Sequence, residues 1–181
     1  MRITGGVLRG RRIAVPAGPI RPAMDRMRES IFALLGDLQG RSFLDLFSGS
    51  GIIALEAASR GADPVEAVEM DPLKRKTLLQ NAALSPVRIR CRFMAAELYV
   101  KRAKTAFHII FCDPPFPYRY KWDLTGAIAA SPLMDAGTLL LVHRPREDPP
   151  PEGLGGLTRG APKVYGRSVV DFFSREPDRT R

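Results

Sequence analysis

The sequence has few of the residues that build metal sites. It contains two cysteines and two histidines among 181 residues. Cys91 and Cys112 form no CxxC motif and have no metal-ligand spacing with His108 or His143. Both cysteines lie in apolar runs, where this residue usually serves as a small core side chain. We therefore expect a protein that binds no metal ion.

Long hydrophobic runs are also missing. Apolar stretches such as HIIFC and TLLLVH have the length of a strand, far below that of a membrane-spanning helix. The N-terminus scatters arginines through the stretch where a secretory signal needs an unbroken apolar core. These observations predict a cytoplasmic protein without a membrane contact.

The sequence has fewer acidic than basic residues. The chain has 28 lysines and arginines against 19 acidic residues, a net charge of +9. Each basic side chain laid on a phosphate releases counterions, so this charge favours a nucleic acid as partner. A generally arginine-rich proteome and attraction to anionic lipid are the alternatives.

From residue 42 onward, short apolar runs alternate with helix-like stretches. The predicted strands are Ser42–Phe47, Pro64–Glu69, Val87–Phe93, Phe107–Cys112, Thr138–His143, Val164–Tyr165 and Val169–Phe173. The predicted helices are Ile52–Arg60, Pro72–Ala83, Ala95–Arg102 and Trp122–Ala130. This alternation predicts an α/β fold, with a mostly parallel seven-stranded sheet and helices on both of its faces.

The first 40 residues follow a different pattern. Turn pairs in residues 1–20 predict a small β-hairpin. A helix with apolar residues from Met24 to Leu38 follows, between Pro22 and Gly40. We expect one domain over residues 1–181: a basic N-terminal extension (1–40), a catalytic core (41–174) and a disordered tail (175–181), with arginines at 175, 179 and 181.

The first predicted strand of the sheet runs into a glycine loop, Asp45-Leu-Phe-Ser-Gly-Ser-Gly51. Glycines here let the backbone turn sharply beside the start of a helix, and Glu69 follows about 20 residues later, where an acid can bind a ribose. Together they predict a nucleoside-containing cofactor. Gly49–Ala54 also fits the dinucleotide fingerprint. However, Asp45 would repel a pyrophosphate and suits the ammonium group of a methionine moiety, which favours S-adenosylmethionine.

The fourth predicted strand ends in Asp113-Pro114-Pro115-Phe116. The prolines lack N–H donors, so this turn offers acceptors: the Asp113 carboxylate and the Pro114 carbonyl suit the two hydrogens of an amino group. Phe116 offers a flat face on which a purine can stack. This arrangement can orient the lone pair of an exocyclic amine toward a methyl donor, and Asp113 can accept the proton that is lost. The sequence therefore predicts an amine methyltransferase that acts on a nucleic-acid base.

Several blocks of the chain, from about Ile3 to Phe173, carry a family resemblance. They are Thr4-Gly-Gly, Gly10-Arg-Arg, Arg21-Pro-Ala-Met-Asp25-Arg-Met-Arg28-Glu29-Ser-Ile-Phe32, the glycine loop, and Asp113–Phe116. In these the chain resembles the bacterial RsmD-like methyltransferases, which modify the N2 amine of a guanine in small-subunit (16S) rRNA. The resemblance implies a class I, Rossmann-like methyltransferase fold and a substrate within an assembling 30S particle. We expect the protein to act there as a monomer.

The resemblance also implies roles for individual residues. The S-adenosylmethionine site is implied at Asp45, Phe47, Gly49, Gly51, Glu69, Met70, Ala95, Arg21 and Asp25. The target guanine is implied at Asp113, Pro114, Pro115 and Phe116. RNA contacts are expected from Arg9, Arg11, Arg12 and Arg28, although Arg28 paired with Glu29 or Asp25 is the alternative.

The chain departs from the family at two places. Ala23-Met24 stands where the family has paired threonines, and Ala95 stands where it has an acid for the adenine amino group. Glu97 can replace that acid only if the register shifts. Three alternatives therefore stay open: an N-methyltransferase for a DNA base or another RNA, a non-catalytic RNA-binding assembly protein, and a nicotinamide dehydrogenase, which leaves DPPF unexplained.

Overall fold

The computed structural model describes residues 1–15 and 22–175, and in these one eight-stranded sheet is flanked by five α-helices. The strands are β1 (Phe43–Leu46), β2 (Val65–Val68), β3 (Ile89–Arg92), β4 (Ile109–Cys112), β5 (Leu139–Pro145), β6 (Leu157–Arg159), β7 (Lys163–Tyr165) and β8 (Ser168–Arg175). The helices are α1 (Pro22–Leu35), α2 (Ile52–Ser59), α3 (Arg75–Ala82), α4 (Ala96–Arg102) and α5 (Lys121–Ala130). Short 3-10 helices cover Gly6–Leu8, Pro72–Lys74 and Leu154–Gly156.

The order of the strands creates a crevice in the middle of the sheet. The order is β3-β2-β1-β4-β5-β8-β6, with β7 also paired to β8. Strands β1 to β5 are parallel, whereas β8 runs antiparallel to β5, and β6 and β7 run antiparallel to β8. The chain adds β2 and β3 on one side of β1, and β4 and β5 on the other. Ligands bind at such a reversal, at the carboxyl ends of the strands.

Alternation along β1 divides the core into two layers. Phe43 packs in one cluster with apolar residues of α1, α2 and α3, whereas Leu44 and Leu46 pack in the other with residues of α4 and α5. Successive side chains of a strand point to opposite faces, so Asp45 lies on the α2 side with Phe43. Both faces of the parallel strands are covered, which explains why the sequence shows nearly continuous apolar runs there.

The predicted strands all occur, and β6 adds one that the sequence analysis did not predict. Its Leu157 is half-buried while its other two residues are exposed, so no apolar pattern distinguishes it from a loop. The segment is a strand because it pairs with β8, where Leu157 lies opposite Arg175. Arg175 thus belongs to β8 rather than to a disordered tail, and it donates to the carbonyl of Ala129. Arg179 and Arg181 lie outside the described residues.

The N-terminal segment forms a hairpin-like loop with little strand structure. A single antiparallel bridge joins Arg2 and Arg12, flanked by hydrogen bonds from the N–H of Ile3 to the carbonyl of Arg11 (3.0 Å) and from the N–H of Ile13 to the carbonyl of Met1 (3.1 Å). The loop is attached to α2, since Oγ of Ser59 donates to the carbonyl of Gly5 at 2.6 Å. The predicted hairpin is therefore reduced to one bridge, and its residues 16–20 lie outside the described part.

Helix α1 ends earlier than its apolar spacing predicted. Gly36 takes a left-handed φ of +67° and donates to the carbonyl of Phe32, which stops the helix at Leu35. Leu38 is nevertheless fully buried, because the chain turns back and its N–H donates to the carbonyl of Arg60. Within the described ranges, no helix has the length and apolar character needed to cross a membrane.

Candidate active site

The loops that follow β1, β2 and β4 meet at the crevice. The N–H of Asp113 donates to the carbonyl of Leu46 at 3.2 Å, which joins the end of β4 to the end of β1. The N–H of Gly49 donates to Oε2 of Glu69 at 2.7 Å, which joins the glycine loop to the end of β2. The structure thus brings together the glycine loop with its Asp45, Glu69 and the DPPF turn, which are far apart in the sequence.

Asp45 is a buried carboxylate with one oxygen unsatisfied. It is 1% exposed, and its Oδ2 accepts from Oγ of Ser48 at 2.6 Å and from the N–H of Ala54 at 3.2 Å. Its Oδ1 has no hydrogen-bond partner among the described residues. Burial, with a smaller contribution from the charges of Asp113 and Glu69, raises the pKa of Asp45 from 3.8 to about 7. Such a group is suited to accept a hydrogen bond from a cation.

The glycine loop places its backbone close to α3. Gly51 begins α2 with a left-handed φ of +80°, and a Cβ added there would lie 2.6 Å from Cδ1 of Leu78. Phe47 also has a positive φ, +65°, which is uncommon for a residue with a side chain. Strain of this kind is concentrated at ligand sites, and here it directs the Phe47 ring toward the turn after β4.

Glu69 is held rigidly at the end of β2. It is 5% exposed, and besides Gly49 it accepts from the N–H of Asp71 through Oε1 at 2.8 Å. Nζ of Lys74 lies 3.8 Å from its Oε2. Each carboxylate oxygen has a second lone pair, so Glu69 retains acceptor capacity for the hydroxyl groups of a ribose. Met70 is 62% exposed beside it and offers an apolar surface.

The DPPF turn lies directly after β4. Pro114 is buried, Pro115 is exposed, and the carbonyl of Pro115 accepts from the N–H of Tyr118 at 2.8 Å. Asp113 is 21% exposed, and its Oδ1 lies 2.6 Å from Nδ1 of His143. The ring of Phe116 contacts the His143 ring edge to face, with the centroids 5.4 Å apart. The turn therefore has a fixed carboxylate and a half-buried aromatic ring at the crevice.

Glu97 and Tyr118 form a contact that sequence reasoning missed. The hydroxyl of Tyr118 donates to Oε1 of Glu97, and burial together with this carboxylate raises the pKa of Tyr118. The Tyr118 ring also packs against Phe47, with the centroids 5.3 Å apart. Ala95 is the N-cap of α4 and has no side chain that can accept a hydrogen bond. Glu97 is thus engaged by Tyr118, two residues beyond Ala95, where the resemblance implies an acid.

The predicted basic residues fall into two groups. Arg9, Arg11 and Arg12 are exposed, and none of them makes an ion pair within the part of the chain that the structure describes. Arg28, in contrast, is 3% exposed and pairs with Glu56 (3.1 Å) and Asp25 (2.8 Å). This burial contradicts the prediction that Arg28 contacts RNA and agrees with the paired alternative.

Two predicted cofactor residues lie in the N-terminal extension. Asp25 is half-exposed and is turned toward Arg28. Arg21 lies outside the described residues, as do the side chains at Ala23-Met24, where the family has threonines. The structure therefore shows Asp25 as an ion-pair partner and leaves the role of the Arg21 block a prediction.

His143 is a functional candidate that the sequence analysis considered only as a metal ligand. The available signal was its position at the end of a predicted strand of a mostly parallel sheet. Cys112 lies opposite Val142, so the next residues, Asp113 and His143, are neighbours at the carboxyl ends of β4 and β5. Comparing the residues at the ends of adjacent predicted strands would have found the pair.

Comparison with known proteins agrees with this geometry. The family model described as "Conserved hypothetical protein 95" matches residues 1–174. The chain is 39% identical over 179 residues to the Escherichia coli (strain K12) protein named "Ribosomal RNA small subunit methyltransferase D", covering 97% of this chain and 90% of that protein.

Two solved structures share the fold. A candidate methyltransferase from Escherichia coli, yhhF, is 30% identical with a TM-score of 0.88, covering 98% of this chain and 99% of that one. A hypothetical protein from Thermus thermophilus is 33% identical with a TM-score of 0.82 at the same coverage. The fold is thus the class I methyltransferase fold, as predicted, and the chain belongs to the RsmD-like methyltransferase family that the "Conserved hypothetical protein 95" model describes.

Proposed function

We propose that the protein uses S-adenosylmethionine to methylate the exocyclic N2 amine of a guanine in small-subunit (16S) rRNA. One observation carries the proposal: an unsatisfied, buried carboxylate oxygen of Asp45 lies at the same crevice as the rigid acceptor turn Asp113–Phe116. The first feature suits a cationic cofactor and the second suits an amino group. A ribosomal substrate would place the reaction in the cytoplasm.

The residues at the crevice fit S-adenosylmethionine better than a dinucleotide. Oδ2 of Asp45 accepts from the N–H of Ala54, a donor in the first turn of α2. In a dinucleotide site the pyrophosphate binds such helix N-terminal donors, so Asp45 both occupies a donor and repels the phosphate. An ammonium group, in contrast, satisfies Oδ1 and pairs with the carboxylate charge. When bound, this cofactor supplies the electrophilic methyl group.

Other residues would hold the nucleoside part. Glu69 offers acceptor lone pairs to the ribose, and the exposed face of Met70 suits contact with the adenine ring. Gly49 leaves open space where a side chain would stand, which allows close approach of a ligand. Phe47 and Gly51 complete the wall of the site. Ala95 contributes packing only, and Glu97 is occupied by Tyr118.

The DPPF turn would orient the target amine. The carbonyl of Pro115 is already bonded to Tyr118, which directs it into its own turn, so we assign the accepting carbonyl to Pro114. That carbonyl and Oδ2 of Asp113 would take one hydrogen each, which leaves the nitrogen lone pair directed at the methyl group. Phe116 would stack on the guanine, a contact worth roughly 1–3 kcal/mol. Asp113 can accept the proton that the amine loses after methylation.

Recognition of rRNA is supported by the exposed arginines. Arg9, Arg11 and Arg12 extend from the loop attached to α2, and the net charge is +9. The relative named for the small ribosomal subunit covers nearly the whole chain. We infer that these side chains bind rRNA phosphates of an assembling 30S particle and bring the target guanine to Asp113.

The test is methylation of unmodified 30S particles with radiolabelled S-adenosylmethionine, with the new methyl group mapped by mass spectrometry. We expect one N2-methylguanine in 16S rRNA. Asp113→Asn should lower the rate by about 100-fold or more, because one amide oxygen cannot both accept from the amine and take its proton. Asp123→Asn, which changes an exposed carboxylate on α5, should keep the wild-type rate.

Each alternative has its own result in this assay. Methylation of DNA or of a different RNA, but not of 16S rRNA, would assign the protein to another base methyltransferase. RNA binding without binding of S-adenosylmethionine would favour a non-catalytic assembly protein. Wild-type activity in Asp113→Asn would overturn the role given to the DPPF turn.

A further inference from the structure

His143 lies beside the DPPF turn and is almost completely buried. It follows Val142 on β5, and Val142 lies opposite Cys112, the last residue of β4. This register makes His143 the neighbour of Asp113 across the two strands. It is 1% exposed. The imidazole therefore lies beneath the carboxylate rather than in contact with solvent.

The hydrogen bond between the two residues has a defined direction. Nδ1 of His143 lies 2.6 Å from Oδ1 of Asp113. A carboxylate only accepts hydrogen bonds, so Nδ1 carries the hydrogen and donates it. Nε2 of His143 has no hydrogen-bond partner among the described residues, so Asp113 provides the ring with its anchoring contact. This bond fixes Oδ1, and because the Asp113 side chain is 21% exposed, we assign Oδ2 to the target amine.

The same imidazole supports the aromatic residue of the turn. The rings of Phe116 and His143 meet at an interplanar angle of 61°, with the centroids 5.4 Å apart. One buried side chain thus contacts two of the three groups that the proposed function assigns to the target base, Asp113 and Phe116. Arg144, the next residue of β5, turns away and pairs with Asp171 at 2.5 Å. Asp113 is therefore not the partner of that guanidinium.

We propose that His143 is a positioning residue for base methylation: it holds the Asp113 carboxylate through Oδ1 and supports the Phe116 ring. This inference rests on the proposed function of the DPPF turn. Without the Nδ1 donor, the carboxylate can rotate and Oδ2 no longer stays opposite the amine hydrogen. Misplacement of a reacting group by about 1 Å can cost about 100-fold in rate.

The chain contains its own control, because His108 is its other histidine. Nδ1 of His108 accepts from the N–H of Ser42 at 3.0 Å, so this nitrogen carries no hydrogen. His108 is exposed just before β4, at the opposite end of the sheet from Asp113. The two histidines should therefore have opposite tautomers, one anchored to a carboxylate and the other to a backbone amide.

The experiment combines kinetics with 15N spectroscopy of the two imidazoles. His143→Leu should lower kcat for 30S methylation by about 100-fold while KM for S-adenosylmethionine changes less than about twofold. His143→Asn, whose amide can donate from near the position of Nδ1, should recover kcat to within about tenfold of wild type. His108→Leu should leave kcat unchanged. In the spectrum, Nδ1 should be protonated in His143 and unprotonated in His108, and Asp113→Asn should shift the His143 signal alone.

Several outcomes overturn the inference. Wild-type kcat in His143→Leu, or equal losses in the leucine and asparagine variants with a lowered melting temperature in both, would show that the ring only fills space. An unprotonated Nδ1 in His143 would exclude the hydrogen bond itself. If the wild type methylates no RNA, the proposed function fails and the inference falls with it. Activity in the wild type with an unaffected His143→Leu defeats the inference alone.

Discussion

Two buried carboxylates contact α2, one near its start and one from within the helix, and their surroundings differ. Glu56, in the last turns of the helix, is 0% exposed and accepts from Nε of Arg28 (3.1 Å), Nη1 of Arg60 (2.6 Å) and the N–H of Thr4 (2.7 Å). Asp45 lies on β1 and accepts from the N–H of Ala54 in the first turn of α2; it is 1% exposed and has no cation bonded to it among the described residues. One carboxylate is neutralised by its own protein, and the other is not.

This difference in ion pairing assigns a structural role to Glu56 and a ligand-binding role to Asp45. The Glu56 cluster joins α1, α2 and the N-terminal loop, which accounts for the burial of Arg28. A satisfied buried charge of this kind maintains the fold, since removing one partner leaves the others uncompensated. The unsatisfied charge of Asp45 has a pKa raised to about 7 and costs stability when ionised. We infer that this cost is offset when the cationic cofactor binds.

The strongest test of the comparison removes the satisfied carboxylate. Glu56→Gln should lower the free energy of unfolding by about 3–5 kcal/mol, because the Arg28 guanidinium stays buried without its main counter-charge. Urea denaturation followed by circular dichroism measures this loss. Glu147→Gln, which disrupts an exposed pair with Arg167, should leave the midpoint unchanged. A midpoint in Glu56→Gln equal to that of the control would refute the structural role of the cluster.

Removing the unsatisfied carboxylate of Asp45 should raise the free energy of unfolding instead of lowering it. The folded state favours protonated Asp45, so its ionisation costs stability as the pH rises from about 4 to about 7, and the cost is constant above that range. At pH 8, Asp45→Asn should therefore unfold with a free energy on the order of 4 kcal/mol greater than wild type. Below pH 4 the two proteins should be equally stable. Urea denaturation of both proteins between pH 4 and pH 8 measures this difference. If Asp45→Asn is less stable than wild type at pH 8, the account of Asp45 is wrong.

A smaller effect, on RNA binding, is expected at the N-terminal loop with Arg9, Arg11 and Arg12. Its charges are exposed, whereas those of Glu56 and Asp45 are buried. Replacing Arg9, Arg11 and Arg12 with alanine should weaken binding to 16S rRNA about tenfold and reduce the slope of log affinity against log salt by about 2. Filter binding over a range of salt concentrations measures both values. The same charge change at Lys101, Arg102 and Lys104, on and after α4, is the matched control. Equal losses in the two triple variants would show that only net charge matters.

The smallest effect concerns the missing adenine acid. Ala95→Asp should tighten binding of S-adenosylmethionine about fivefold, because one added hydrogen bond contributes about 1 kcal/mol. Isothermal titration calorimetry measures the change, and Ala95→Asn separates the hydrogen bond from the charge. Weaker binding in Ala95→Asp would indicate that the adenine amino group does not approach this end of α4.

Local motifs made much of the site predictable. Asp45, Glu69 and Asp113 each stand at or near the carboxyl end of a predicted strand, and the carboxyl ends of parallel strands share one edge of a sheet. That rule is enough to bring the glycine loop and the DPPF turn together, as the structure does. The fold class followed in the same way from the alternation of apolar runs with helical spacing.

Contacts that depend on packing between distant elements could not be read from the sequence. Arg28 resembles any surface arginine until α1 docks on α2 and Glu56 receives it. His143 resembles any core histidine until β4 and β5 pair. Strand β6 has no apolar pattern, and its place in the sheet is defined by its pairing with β8. In each case the information lies in the register of two elements, which a local window does not contain.

The claim that the unsatisfied carboxylate of Asp45 binds the cationic cofactor is tested most directly by calorimetry. S-adenosylmethionine is titrated into wild type and Asp45→Asn at pH 7.5 and pH 6. Loss of a charge-assisted hydrogen bond should weaken binding to the variant by about 10- to 100-fold at pH 7.5. Wild-type affinity should fall about five- to tenfold at pH 6, since Asp45, with a pKa of about 7, must first lose a proton, whereas the variant should bind equally at both pH values. An Asp45→Asn protein that binds the cofactor as tightly as wild type would contradict the conclusion that this carboxylate awaits a cation.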